Sequence, residues 1–211
     1  MPFDEHLIAC LRAVSDDDAE QLAEFLDWKG ICEHIELDGD LIRKYRNYVN
    51  WTLIVSFQSL SADTMREFQE QLDWDEVSAC QNLKTPELRE FATLLNWGIV
   101  SECQYLSESD LEEFATYLEW DVVSEEHTLS DCAIKKYADA LDWDSICKRQ
   151  VLSEEIIREF VSRINRDILS EKNKIAYKKY IQQQHKKKTF KLANDTSPLP
   201  LEVLKIIDSY L

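Results

Sequence analysis

Apolar and polar residues recur along this chain in a unit of 23 residues. Tryptophan stands at Trp28, Trp51, Trp74, Trp97, Trp120 and Trp143, and leucine at Leu37, Leu60, Leu83, Leu106, Leu129 and Leu152, with the same step throughout. With that leucine as position 0, seven units begin at Val14, Leu37, Leu60, Leu83, Leu106, Leu129 and Leu152. Self-similarity at a fixed period of this length is the mark of a repeat architecture. The seventh unit carries Arg166 where tryptophan is due and is degenerate.

Each unit predicts two helices. Position 5 is apolar (Ile42, Met65, Leu88, Leu111, Ile134, Ile157), with Ala19 as its weakest member. Position 8 is apolar or aromatic (Leu22, Tyr45, Phe68, Phe91, Phe114, Tyr137, Phe160), and position 12 runs from Leu26 to Ile164. Steps of three and four place these side chains on one helical face. Position 1 is usually serine, a good N-cap, and Pro86 falls in the first turn, where proline is tolerated. Helix A is therefore expected over about positions 2 to 12. Asp, Asn or Glu at position 13 immediately precedes the tryptophan, so a second helix starts there. Its apolar residues are the tryptophan and position 17 (Ile31 to Leu169), which makes helix B about two turns long. Neither helix is stable alone; stacking of units supplies the partner each lacks. Leucine-rich repeats overlap this period, but their strand signature is absent.

The expected fold is all-α, an α-solenoid of about seven helix-turn-helix repeats over residues 14–174. Phe3, Asp4 and Ile8 match positions 12, 13 and 17, so residues 1–13 are read as a half-repeat cap. Ile175 and Tyr180 still fit positions 0 and 5, so residues 175–191 are read as a degenerate repeat and basic segment. Residues 192–211 form a C-terminal tail.

Composition narrows the function. Only 3 of 211 residues are glycine, against about 15 at average usage. Phosphate-cradling loops and dinucleotide folds are disfavoured accordingly. No apolar run approaches the ~20 residues of a membrane span, and the first residues carry acids where a secretory leader is basic. A soluble, cytoplasmic or nuclear protein is expected. The net charge of −17 is unevenly divided: residues 1–170 hold 15 Lys/Arg against 37 Asp/Glu, and residues 171–211 hold 9 against 4. The acidic repeats repel phosphates and so disfavour contact with nucleic acid, while offering a negative face to a basic partner or mimicking nucleic acid itself. Lys178, Lys179, Lys186, Lys187, Lys188 and Lys191 form a basic run suited to a solvated segment, phosphates or a localisation receptor.

No catalytic constellation emerges, and no cofactor or metal site is expected. Cys10, Cys32, Cys80, Cys103, Cys132 and Cys147 contain no C-x-x-C, and the four histidines lack zinc spacing with them. Cys32 and Cys147 share position 18, and Cys80 and Cys103 share position 20; standing where the repeat holds small residues, they are expected to be buried free thiols. Position 21 holds Gln58, Gln81, Gln104, Gln150 and Asn173, with His127 in the slot normally filled by glutamine; the glutamines are placed to hydrogen-bond between units. The tryptophans keep register with the apolar positions and are expected in the core between repeats rather than on a ligand-stacking surface.

The tail adds a resemblance. Ser197, Pro198 and Pro200 break the chain before a last helix whose apolar stripe is Val203, Leu204, Ile207, Tyr210 and Leu211. Leu199-Pro200-Leu201-Glu202-Val203, then Ile207 and Tyr210-Leu211, resembles the opening of an F-box, L-P-x-E-[IV]-x-x-x-[IV]-x-x-[YF]-L. A partial F-box behind a repeat array is similar to the arrangement of poxvirus ankyrin–PRANC proteins, although the units here lack the ankyrin T-P-L-H-x-A signature. The short Leu-Ser…Phe…Trp repeats also resemble those of large DNA viruses, which would put the protein in a host cell. The F-box resemblance implies a Skp-type adaptor of cullin–RING ubiquitin ligases as partner, touched by Leu199, Pro200, Val203, Ile207, Tyr210 and Leu211. Two other readings stand beside this non-enzymatic adaptor. One is a sequestering scaffold whose tail only caps the array, and the other an acidic competitor of nucleic acid for a basic partner.

Overall fold

A computed structural model describes residues 3–195, so the tail residues Leu199, Pro200, Val203, Ile207, Tyr210 and Leu211 lie outside the described residues. The described chain is an all-α helical-repeat fold of the solenoid class, built from short, regularly spaced helices. It divides into two compact units, Met1–Val122 and Val123–Leu211.

The first unit begins with α1 (Phe3–Ala13) and continues through α2 (Asp16–Ala23), α3 (Trp28–His34), α4 (Gly39–Lys44), α5 (Trp51–Phe57), α6 (Ala62–Glu67), α7 (Trp74–Cys80), α8 (Thr85–Glu90), α9 (Trp97–Cys103) and α10 (Glu108–Glu113). The division falls within α11 (Trp120–Glu126). The second unit continues with α12 (Asp131–Lys136), α13 (Trp143–Arg149), α14 (Glu154–Glu159), a 3-10 turn at Arg166–Ile168, and α15 (Glu171–Asp195). Among these residues, no helix is long and apolar enough to cross a membrane.

The caps lie where the residue types place them. At position 1 the side chains of Asp38, Ser61, Ser107, Ser130 and Ser153 each accept a backbone N–H three residues on. Repeat 4 has Lys84 there instead, and the Glu87 carboxylate reaches back to accept the Lys84 N–H at 3.0 Å. At position 13, Asp27, Asn50, Asp73, Asn96 and Asp142 cap helix B in the same way. Such caps satisfy amides that a two-turn helix leaves free at its start.

Helix A is shorter than the apolar spacing implies. From repeat 2 onward it covers six residues, positions 2 to 7, and the backbone leaves helical values at position 8, as at Tyr45 (φ −108°, ψ 22°). A tight turn then follows: the position-11 N–H bonds the position-8 carbonyl, Tyr48 to Tyr45 at 2.9 Å and Gln71 to Phe68 at 2.9 Å. The position-12 N–H bonds the same carbonyl, Val49 to Tyr45 at 3.1 Å, so positions 8 and 12 still share one side while the chain turns toward the tryptophan. Three-and-four spacing is preserved by this turn, which is why periodicity alone extends the helix too far.

The core is formed by positions 0, 5, 8, 12 and 17. Ile54, Val77, Val100 and Ile146 at position 17 are fully buried, as are Ile42, Leu88 and Ile134 at position 5 to within 1%. Burying each aliphatic side chain contributes about 1.5–3 kcal/mol before entropy is counted. Where tryptophan gives way to Arg166, helix B shrinks to the 3-10 turn. Among the described residues the two-helix pattern ends there: Ile175, in register with the buried leucines, is 70% exposed and sits on the single 25-residue helix α15.

Candidate interaction surface

Most repeated polar side chains serve the architecture. In the first unit, Gln81 Oε1 accepts the Leu60 N–H at 2.9 Å, and its Nε2 donates to the carbonyls of Val55 at 2.6 Å and Gln58 at 2.8 Å. Gln58 and Gln104 repeat this three-bond clamp one unit earlier and one later. In the second unit Asn173 does the same with Leu152, Cys147 and Gln150. These amides are buried, and each joins two successive repeats by their backbones.

Position 18 has a similar task. Ser78 Oγ donates to the Trp74 carbonyl at 2.6 Å and accepts the Asn96 N–H at 3.0 Å; Ser101 does so with Trp97 and Glu119. Cys32 and Cys147 replace the hydroxyl with a buried thiol, and burial pushes both thiols up while a backbone N–H, from Asn50 and Asn165 respectively, acts against it. The other cysteines depart from expectation. Cys10, Cys80, Cys103 and Cys132 are exposed, because position 20 and the helix faces carrying Cys10 and Cys132 point to solvent. Among the described residues no group of three or more His, Cys, Asp or Glu could hold a metal ion.

The tryptophans are half-buried struts. Indole Nε1 donates to the carbonyl five residues back, at position 9: Trp28 to Ala23 at 2.9 Å, Trp74 to Gln69 at 3.0 Å, Trp97 to Ala92 at 2.8 Å and Trp143 to Ala138 at 2.8 Å. The rings tilt against the position-8 aromatic of the next repeat, Trp51 on Phe68 at 4.9 Å and Trp74 on Phe91 at 5.0 Å. With the donor spent and one face covered, Trp28, Trp74, Trp97 and Trp143 are joinery between repeats.

The outward positions carry the remaining repeated side chains. Positions 6 and 7 form an ion-pair ladder: Arg43 with Glu67, Arg66 with Glu90 and Arg89 with Glu113 at 2.5–2.6 Å. All are solvent-exposed, so their contribution to stability is small and screened by salt. Position 11 is different. Phe25 is 84% exposed, Tyr117 48% and Leu94 41%, and Tyr48 is half-buried. Tyr48 stacks on Trp28 at 6.2 Å and Tyr117 on Trp97 at 4.9 Å, so outward rings and half-buried indoles form an aromatic ridge along the first unit. Sequence reading missed this ridge because Gln71, Ala140 and Arg163 interrupt the column. The signal was there in the 23-residue spacing of Phe25, Tyr48, Leu94 and Tyr117. Exposed acidic residues stand within four positions of this column in the sequence: Glu24, Asp27, Glu70, Asp73, Asp75 and Asp121.

Comparison with known proteins finds no matching family model, no similar curated protein and no similar solved structure.

Proposed function

We propose that the chain is a non-enzymatic, protein-binding adaptor whose repeats capture a protein target. On this reading the segment Leu199–Leu211 recruits a Skp-type ubiquitin-ligase adaptor. The observation that carries the first half is the ridge of Phe25, Tyr48, Leu94 and Tyr117, large apolar side chains kept outward at one repeat position while the recurring amides, indoles and position-18 hydroxyls are bonded within the array. Exposed apolar side chains gathered along one line suit a protein interface. The second half rests on the F-box-like order of Leu199, Pro200, Val203, Ile207, Tyr210 and Leu211.

A pull-down with purified Skp-type adaptor tests the reading, comparing the full chain, a chain ending at Lys191, and the variant Val203→Asp/Ile207→Asp. Recovery by the full chain alone is expected. Equal recovery by all three, or by none, would remove the ligase connection and leave a sequestering scaffold.

A further inference from the structure

Charge is divided between the two compact units. Met1–Val122 holds 8 Lys/Arg against 27 Asp/Glu, whereas Val123–Leu211 holds 16 against 14. The acidic field that repels phosphates therefore belongs to the first unit. Within the second, the stretch 171–188 of α15 carries seven lysines, no arginine and one acid, Glu171.

Burial sorts these residues by face. Asn173 is buried and Tyr177, Tyr180 and Ile181 are half-buried, so the opposite face is outward. At about 100° per residue, that face has the neutral, exposed Ile175 and Gln182 along its middle. Lys172, Lys179 and Lys186 run along one side of this line, about 10.5 Å apart, and Lys178 and His185 along the other. The acids of α14, on which α15 packs, are occupied: Glu154 pairs with Lys179 at 2.5 Å, and Glu155 and Glu159 both pair with Lys135. Glu171 pairs with Lys174 at 2.7 Å. Lys172, Lys178, Lys186, Lys187 and Lys188 are exposed and have no ion pair with another described residue.

We propose that this face of α15 lies in the major groove of double-stranded DNA, its lysines on the phosphates of both strands and Ile175 and Gln182 toward the base edges. The groove is about 12 Å wide, and a helix with its side chains measures about 10–12 Å. Cations on both flanks of a neutral middle match the two phosphate rows that border a groove. Other polyanions fit less well. A carboxylate-rich protein is better gripped by the planar fork of arginine, which this stretch lacks. A bilayer surface needs an outward apolar face, and single strands need outward rings for stacking. Tyr177 and Tyr180 are instead half-buried and set against each other at 6.5 Å. The major groove of double-stranded RNA is too narrow to be read. No residue of the ridge takes part, so this is a binding function beyond the capture reading.

The test titrates the full chain against a labelled short DNA duplex, the same duplex as RNA, and a polyglutamate peptide, with anisotropy read at several salt concentrations. The DNA duplex is expected to bind most tightly, with log K falling against log salt at a slope of about −4.5, as five lysines on phosphates require. Lys172→Gln/Lys178→Gln/Lys186→Gln should reduce that slope by about 2.7 and weaken binding about tenfold or more. Circular dichroism and the urea midpoint should stay unchanged. Arg43→Gln/Arg66→Gln/Arg89→Gln removes equal charge from the first unit and should leave the slope as it was. Equal binding of polyglutamate or of the RNA duplex, or a slope that both triple variants lower alike, would reduce the effect to net charge and overturn the proposal. So would an absence of DNA binding, or sedimentation in which the lysine variant alone abolishes self-association, which would make a second copy the occupant.

Discussion

Gln104 donates its side-chain amide to the backbone carbonyl of Gln81 at 2.7 Å, and Gln81 donates to that of Gln58 at 2.8 Å. The recurring glutamine is thus both the clamp of its own repeat and the acceptor for the next, so the chain joins its repeats through backbone groups that would otherwise be buried without partners.

Replacing Gln81 with Leu should therefore cost more than its size suggests. The Leu60 N–H and the Val55 and Gln58 carbonyls would lose their bonds in a buried site. At about 1–3 kcal/mol per orphaned group, a loss of at least about 3 kcal/mol is expected. Gln81→Glu should be worse at neutral pH, where a carboxylate faces two carbonyl oxygens, and should recover partly on acidification as the added carboxyl gains a proton. Urea midpoints read both, and a Gln81→Leu loss under about 1 kcal/mol would show that water replaces the clamp.

How far the fold can be read from sequence depends on which groups are periodic. Trp74, Val77 and Leu83 recur in register and are apolar, so helix positions and burial follow from them directly. Gln81 recurs as well, and its inter-repeat role follows from being an amide at a fixed place among apolar neighbours. The spacing puts the end of helix A too late, at position 12 instead of 7, because the turn at Phe68 to Leu72 preserves the spacing of a helix. Cys80 and Cys103 are exposed where burial is expected, because sharing a repeat position does not say whether that position points inward; position 20 does not. The ridge is not legible for the opposite reason: its members vary in chemistry from repeat to repeat, with Gln71 among Phe25, Tyr48, Leu94 and Tyr117.

The cysteine pattern gives a direct count of inward and outward positions. A thiol-reactive dye should modify Cys10, Cys80, Cys103 and Cys132 in the native protein and all six cysteines after denaturation. Cys32 and Cys147 are shielded sterically, and their raised thiol pKa values also reduce the reactive thiolate. Cys80, whose thiol is likewise pushed up, first by desolvation and then by Glu76, should be slower than Cys132. Modification of six sites without denaturant would mean that repeats open readily enough to expose position 18.

Asp110 supplies a pH dependence whose sign is fixed by its partners. Burial alone pushes its carboxyl up, but the Ser107 hydroxyl, the Thr85 hydroxyl at 2.6 Å and the Ser107 N–H at 2.9 Å together hold it below the ordinary value. The folded state therefore binds this proton more weakly than the unfolded chain, whose aspartate titrates near ~3.9. The resulting stabilisation is complete above that unfolded value and is lost as pH falls toward the folded one. Asp110→Asn keeps the shape and removes the titration. Urea midpoints at neutral pH should favour the wild-type chain, and the advantage should shrink on acidification until the two converge below the folded pKa. A difference that stays constant with pH would mean that Asp110 acts by shape alone, and that the bond from Thr85 to the next repeat does not depend on the charge.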